Sequence, residues 1–273
     1  MKRYLSATKV KRVKNDFGFL LNYIRNSYGE LDLRLRDGYF NIYYKGNSLA
    51  KVIVRSDQFI VQIHQKFVSD IYSKDKRFKD EGIIKGNYIE YRLSSDLVHP
   101  FLQKKYLDAL GRNIKKVNYS EEITLEQMII TDNLNRDDFL IIDRQITEPA
   151  MEGKRMDLLG LRKVKNDKFQ FVVVEVKLGN NPELKGDVAD QLKEYLDHVR
   201  DHFEDWRKSY EKTYDQMKYL GLFKKPEFTQ IKIERPVRGL IAVGGYTGVG
   251  KESLRELTEK QDDLKIELFR FLL

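Results

Sequence analysis

The segment FVVVEVKL, residues 171–178, constrains the fold of this chain more than any other stretch. Its valines fall on both alternating faces, and a strand apolar on both faces belongs at the centre of a sheet covered by other layers. Glu175 and Lys177 break the run two residues apart, so they project from one face. Burying an ionised carboxylate beside aliphatic side chains is costly unless it is paired or holds a cation. Two compensations are open: a Glu–Lys ion pair at the strand end, or a metal-binding carboxylate with an ammonium facing the reacting group.

Asp157, in RMDLLGLRKV, favours the second. The connection RKVKNDK is short enough for a hairpin with the following strand, which brings Asp157 beside Glu175. Two adjacent carboxylates repel unless a divalent cation lies between them. Oxygen donors, with no cysteine in the chain and no nearby histidine, suit Mg²⁺, with Mn²⁺ as a substitute, rather than zinc. Lys177 then serves an attacking water and the charge that develops on a phosphate.

The rest of the chain reads as α/β (α+β) in two parts. In residues 1–119 a helical cluster at Phe17, Phe19–Leu21 and Ile24 precedes four strands of an antiparallel meander, ELDLRLR, YFNIYYK, SLAKVIV and QFIVQIHQ. Asp37-Gly38, Gly46-Asn47 and Ser56-Asp57 supply the turns. Pro100 is expected to open a helix, FLQKKYLDALGRNIKKV. In residues 120–273 a helix through about Asn133 leads into FLIIDRQI, RMDLLGLRKV and FQFVVVEVKL. From Asp187, the apolar residues Val188, Leu192, Leu196, Val199, Phe203 and Trp206 recur at helical spacing and continue toward Leu220. A strand VRGLIAVGG, a short helix ESLRELTEK and the closing segment LKIELFRFLL follow.

Asp157, then seventeen residues, then Glu175-Val176-Lys177 resembles the D-(D/E)-x-K motif of the PD-(D/E)XK nuclease superfamily, whose core runs helix, three strands, helix, strand. Glu152-Gly153-Lys154, Glu183-Leu184-Lys185 and Asp263-Leu264-Lys265 match the tripeptide too. Only the copy at 175–177 lies late in a β-branched strand with an aspartate on the strand before it. Met156 stands where the superfamily's name has proline. Gln191 and Tyr195, in ADQLKEYLDHV, resemble the Q-x-x-x-Y motif of the RecB-like subgroup. The resemblance implies a restriction-endonuclease-like αβββαβ core with a central mixed sheet over residues 120–273, and Mg²⁺-dependent hydrolysis of phosphodiester bonds in DNA. It places Asp157, Glu175 and the carbonyl of Val176 on the metal, and Lys177 at the attacking water. Gln191 and Tyr195 would position the substrate. An acid of the first core helix would join the metal, Glu126 with Glu122 as its competitor; a capping or surface role is the plainer reading of both. Arg155 would neutralise a phosphate or pair with Glu175. The alternative is a non-catalytic nucleic-acid-binding or assembly protein that keeps the fold.

Charge is consistent with a polyanionic partner: fifty Lys and Arg oppose forty-two Asp and Glu, a net +8. Lys2, Arg3, Lys9, Lys11, Arg12 and Lys14 crowd the N-terminus, and Lys104, Lys105, Arg112, Lys115 and Lys116 form a second basic stretch. Residues 1–119 are therefore expected to bind nucleic acid, DNA rather than RNA, or else a protein partner or a second copy of the chain. Tyr23, Tyr28, Tyr39, Tyr43 and Tyr44 suit either base stacking or ordinary sheet packing. No apolar run approaches the roughly 20 residues of a membrane helix. The N-terminus lacks the apolar stretch of a secretory signal, so a cytoplasmic location is expected. Two other motifs fall short. Gly245 to Lys251 approximates a phosphate-binding loop but has Glu252 where serine or threonine is required. His198 and His202 have a metalloprotease spacing without its glutamate.

Overall fold

The computed structural model describes residues 1–68, 70–118, 120–223, 228–260 and 265–269. The protein is mixed α/β, and among the described residues it has two six-stranded sheets. Its chain divides into two units, one gathering Lys2–Ile123 with Lys212–Lys224, the other gathering Met1, Thr124–Glu211 and Lys225–Leu273.

The first unit opens with α1 (Ala7–Asp16), capped by the Ser6 hydroxyl, and α2 (Gly18–Asn26). A further helix, α1, precedes the apolar cluster read from Phe17 to Ile24, and Phe17 itself, with a φ of −112°, breaks helical geometry between the two. The break lets the Phe17 ring meet Phe40 and Phe59 edge-on at 5.1 and 4.9 Å, an arrangement favoured by the aromatic quadrupole. The sheet follows: β1 (Leu31–Leu35), β2 (Tyr39–Tyr44), β3 (Asn47–Val54), β4 (Phe59–His64), then a short helix α3 (Gln65–Val68), β5 (Ile83–Lys85) and β6 (Tyr88–Leu93). Their order is β1-β2-β3-β4-β6-β5, antiparallel throughout. The meander thus has two more strands than the sequence suggests. All three residues of β5 are exposed, so it carries no buried face to announce it.

The turn joining β2 to β3 is Lys45-Gly46, with both φ values positive, 44° and 86°. This mirror-image turn matches the twist of the strands it joins. Two helices close the unit's first segment, α4 (Ser95–Phe101) and α5 (Lys104–Val117). Pro100 lies inside α4 rather than at a helix start. In so short a helix it forfeits little internal hydrogen bonding.

The second unit takes α6 (Glu121–Asn133), β7 (Phe139–Thr147), β8 (Arg155–Lys165) and β9 (Lys168–Leu178) in succession. Next come α7 (Asp187–Asp201) and α8 (Phe203–Tyr219), then β10 (Lys232–Ile233), β11 (Arg238–Gly244), α9 (Thr247–Lys260) and β12 (Lys265–Phe269). The long helix expected after Asp187 is two helices, separated at His202. Residues 264 and 270–273 of the closing segment lie outside the described residues.

The sheet runs β12-β11-β9-β8-β7, with β10 paired to β9. β7, β8 and β9 are antiparallel, whereas β9, β11 and β12 are parallel. β9 is central, as valines on both of its faces require. Val172, Val174 and Val176 pack with Leu125, Ile129 and Ile130 of α6. On the other face Phe171 meets Phe203, Trp206 and Tyr210 of α8, with ring centroids 5.7–6.3 Å apart.

The last residues of α8 belong to the first unit. There Gln216 exchanges two hydrogen bonds with the backbone of Leu5, at 2.9 and 2.7 Å, and the Thr213 hydroxyl donates to the carbonyl of Arg3 at 2.7 Å.

Candidate active site

The β8–β9 ladder ends at Leu158 opposite Val174, while β9 continues against β11 through Leu178. Past that pair β8 stays with β7, Met156 opposite Ile146, so β8 and β9 part. Asp157 and Glu175 stand at this parting in continued antiparallel register, which turns their side chains to one face. The Val176 N–H lacks a β8 carbonyl there and instead donates to Asp157 Oδ2 at 2.9 Å. A strand residue turns its N–H and C=O the same way, so the Val176 carbonyl also faces the gap.

Glu175 is buried, 1% exposed, and Lys177 is 8% exposed. The Lys177 ammonium lies 3.1 Å from Glu175 Oε1 and 2.6 Å from Glu183 Oε2. Glu183 stands on a 3-10 turn, Pro182–Lys185, that is capped by the Asn181 side chain accepting from the Glu183 N–H at 3.0 Å. Gly179 permits this exit from β9: a Cβ there would lie 2.5 Å from the Gly245 carbonyl oxygen.

Burial pushes the Asp157 carboxyl well above the usual aspartate range, and the negative charges of Glu175 and Glu126 push it further. Burial alone would lower the Lys177 ammonium, but Glu183 and Glu175 carry it above the ordinary lysine value. Lys177 is therefore a fixed cation. Glu126, on α6, is 2% exposed. Burial raises its carboxyl against the opposing charges of Arg144 and Arg155. Arg144 donates to Glu126 Oε2 at 3.1 Å and to Gln127 Oε1 at 2.9 Å. Glu122, its competitor in the sequence, is half-buried.

Gln191 and Tyr195 meet one turn apart on α7. Gln191 Nε2 donates to the Tyr195 hydroxyl at 2.9 Å, and that hydroxyl donates to the Arg155 carbonyl at 3.1 Å. The tyrosine is buried, 1% exposed, and holds the start of β8 two residues before Asp157. Burial raises its phenol pKa, so it remains a neutral donor. Arg155 itself is exposed, its charge acting on Glu126.

The donor set fits a hard divalent cation. Asp157 and Glu175 offer carboxylates on one face, Val176 a carbonyl, and Glu126 a third negative charge felt at Asp157. A cation placed among them would reverse the repulsion that raises the Asp157 carboxyl. Among the described residues no group of three or more His, Cys, Asp or Glu side chains is drawn together as a ready ligand cluster. A metal would be held by two side chains and backbone oxygen, with Glu126 shared with Arg144.

Two participants escape a reading of the sequence. Glu183 belongs to a tripeptide that merely repeats the Glu-x-Lys pattern, and only the 3-10 turn delivers it to Lys177. Arg144 leaves a trace, because Asp143-Arg144 places two charges inside the apolar strand FLIIDRQI; both are buried. The histidine pair serves local structure, His198 lying 3.0 Å from Glu148 Oε2 and His202 Nδ1 2.9 Å from the His198 carbonyl. Comparisons with protein-family models, with curated proteins and with solved structures returned no match to this chain.

Proposed function

We propose that the second unit is a metal-dependent nuclease of the PD-(D/E)XK type that hydrolyses phosphodiester bonds in DNA. The observation that carries this reading is the meeting of Asp157, Glu175 and Lys177 on one face where β8 and β9 part. The order helix, three strands, helix, strand around a mixed sheet supports a restriction-endonuclease-like core. A cytoplasmic setting accords with a chain free of cysteine; among the described residues no helix is long and apolar enough to cross a membrane.

Asp157, Glu175 and the Val176 carbonyl would hold Mg²⁺ or Mn²⁺. Such an ion supplies Lewis acidity and an acidified water when bound. Lys177, fixed as a cation between Glu175 and Glu183, donates hydrogen bonds and offsets charge that grows on the phosphate; its raised pKa makes it a poor base. Tyr195 sets the position of Asp157 through the Arg155 carbonyl.

The reading is tested by incubating the full chain with circular and linear, single- and double-stranded DNA and RNA, in Mg²⁺, Mn²⁺ or EDTA. Metal-dependent cleavage that Asp157→Ala abolishes supports it. A specific feature favours a second reading, a binding protein without catalysis: Lys177 and Glu126 are each already held by a partner of opposite charge. Absence of cleavage in every metal and polymer, with nucleic-acid binding intact, would establish that reading instead.

A further inference from the structure

A cleft of about 440 Å³ in the first unit is lined by Tyr23, Asn26, Tyr28, Tyr44, Lys104 and Asp108, among others. Its size, and a wall that sets three tyrosines and two leucines among polar and charged side chains, are those of a small-ligand site. Of the five tyrosines noted in the sequence, three converge here; Tyr43 is buried in the sheet, and Tyr39 lies under Lys51, 4.3 Å from the ring centroid.

Two features are costly unless the cleft has a use. Gly111 sits in the interior of α5, where glycine weakens a helix, and a Cβ there would come 2.7 Å from the Tyr44 ring. The glycine lets that ring lie directly on the helix. Tyr28 adopts φ 53°, a strained conformation for a bulky residue, and leaves its side chain 75% exposed at the cleft. Tyr28, so largely exposed, and Tyr44 line the same cleft, and both offer aromatic surface on which a flat ring can stack.

The charge around the cleft indicates which ring. Its acids are paired, Asp108 with Lys104 at 2.8 Å and Glu30 with Lys45 at 2.7 Å. The remaining charge on α5 comes from Lys105, Arg112, Lys115 and Lys116, a cationic helix suited to a polyanion rather than to an apolar protein segment. We propose that this cleft takes an unpaired nucleobase of a single-stranded nucleic acid, stacked against Tyr28 and Tyr44, with Lys104 at the neighbouring phosphate. The proposal rests on the nucleic-acid reading of the chain but not on cleavage.

The test uses the full chain carrying Asp157→Asn, in EDTA, so that nothing is cut. Affinity for a short single-stranded DNA is compared with that for an abasic strand of equal length, which has the same phosphates and no bases. One stacked base predicts tighter binding of the base-bearing strand by about 5- to 150-fold. Tyr28→Ala should remove that difference and Tyr28→Phe should keep it; the ring is exposed, so neither threatens the fold. Lys104→Gln should weaken both strands alike and reduce the salt slope by roughly 0.7. Quenching of 2-aminopurine in the strand should follow Tyr28 in the same way. Equal affinity for the two strands, as a cleft built for a protein side chain would give, overturns the proposal, as does Tyr28→Ala without effect. Base-dependent binding, together with a native chain that cuts nothing in Mg²⁺ or Mn²⁺, keeps this proposal and removes the nuclease, whereas cleavage by the native chain with equal affinities does the reverse.

Discussion

The Asp157 carboxylate accepts the amide proton of Val176 at 2.9 Å, a side chain completing the joint of β8 and β9 where the backbone ladder has stopped. That bond favours the ionised form, yet burial and the charges of Glu175 and Glu126 outweigh it.

The consequence is a pH-dependent stability. The folded carboxyl has the higher pKa, so between the unfolded and folded values the folded chain binds more protons. Metal-free stability therefore falls as pH rises from the ordinary aspartate value through the raised one, and stays lower above it. Asp157→Asn keeps an acceptor for Val176 and should remove this share of the decline, leaving neutral-pH stability equal or higher. Thermal unfolding in EDTA across this pH range measures it, and an unchanged decline in the variant would falsify the assignment. Mg²⁺ should raise the midpoint of the native chain more than that of the variant.

Lys177→Ala should lower the cleavage rate by about 10²-fold or more, the scale of one charge-stabilising group, with nucleic-acid affinity little changed. Glu183→Gln should cost less, because Glu175 still holds the ammonium. Single-turnover rates and binding isotherms on the same substrate separate the two effects. Affinity falling in step with rate would make Lys177 a simple phosphate anchor.

Tyr195→Phe keeps the ring and deletes the hydroxyl between Gln191 and the Arg155 carbonyl. A loss of about 1–2 kcal/mol in urea denaturation is expected, with slower cleavage and unaltered substrate affinity. Weaker binding at unchanged stability would point instead to direct contact with substrate.

Arg144→Met strands the buried Glu126 carboxylate without its guanidinium and should destabilise the fold by about 3–5 kcal/mol. Adding Glu126→Gln should recover much of that. Glu126→Gln alone distinguishes two roles: isothermal titration with Mg²⁺ will show weakened binding if Glu126 ligates the metal, and unchanged binding if its work is structural.

The placement of β9 was legible because a central strand writes its burial on both faces of the sequence, and Glu175 and Lys177 stood out against it. Asp157 followed from the shortness of one hairpin. Contacts that depend on a turn of few residues were not legible. Glu183 reaches Lys177 only through the 3-10 geometry after β9, and nothing in Pro-Glu-Leu-Lys foretells its direction. Phe17, read as a member of the helical cluster, stands just outside α2 for a related reason, since the rings it meets come from β2 and β4. β5 has no buried side at all, so alternation could not reveal it.

The path of the chain also limits how the protein can be taken apart. Residues 212–224 return to the unit built by residues 2–123, and Gln216 and Thr213 there meet the backbone of Leu5 and Arg3. A fragment ending near residue 119 would lack a helical segment that its own first residues bind. The complementary fragment would carry that segment with nothing of its own to receive it. The two units are interleaved along the sequence, so a single cut cannot yield either one whole, and any insertion or deletion within α8 would be felt by both.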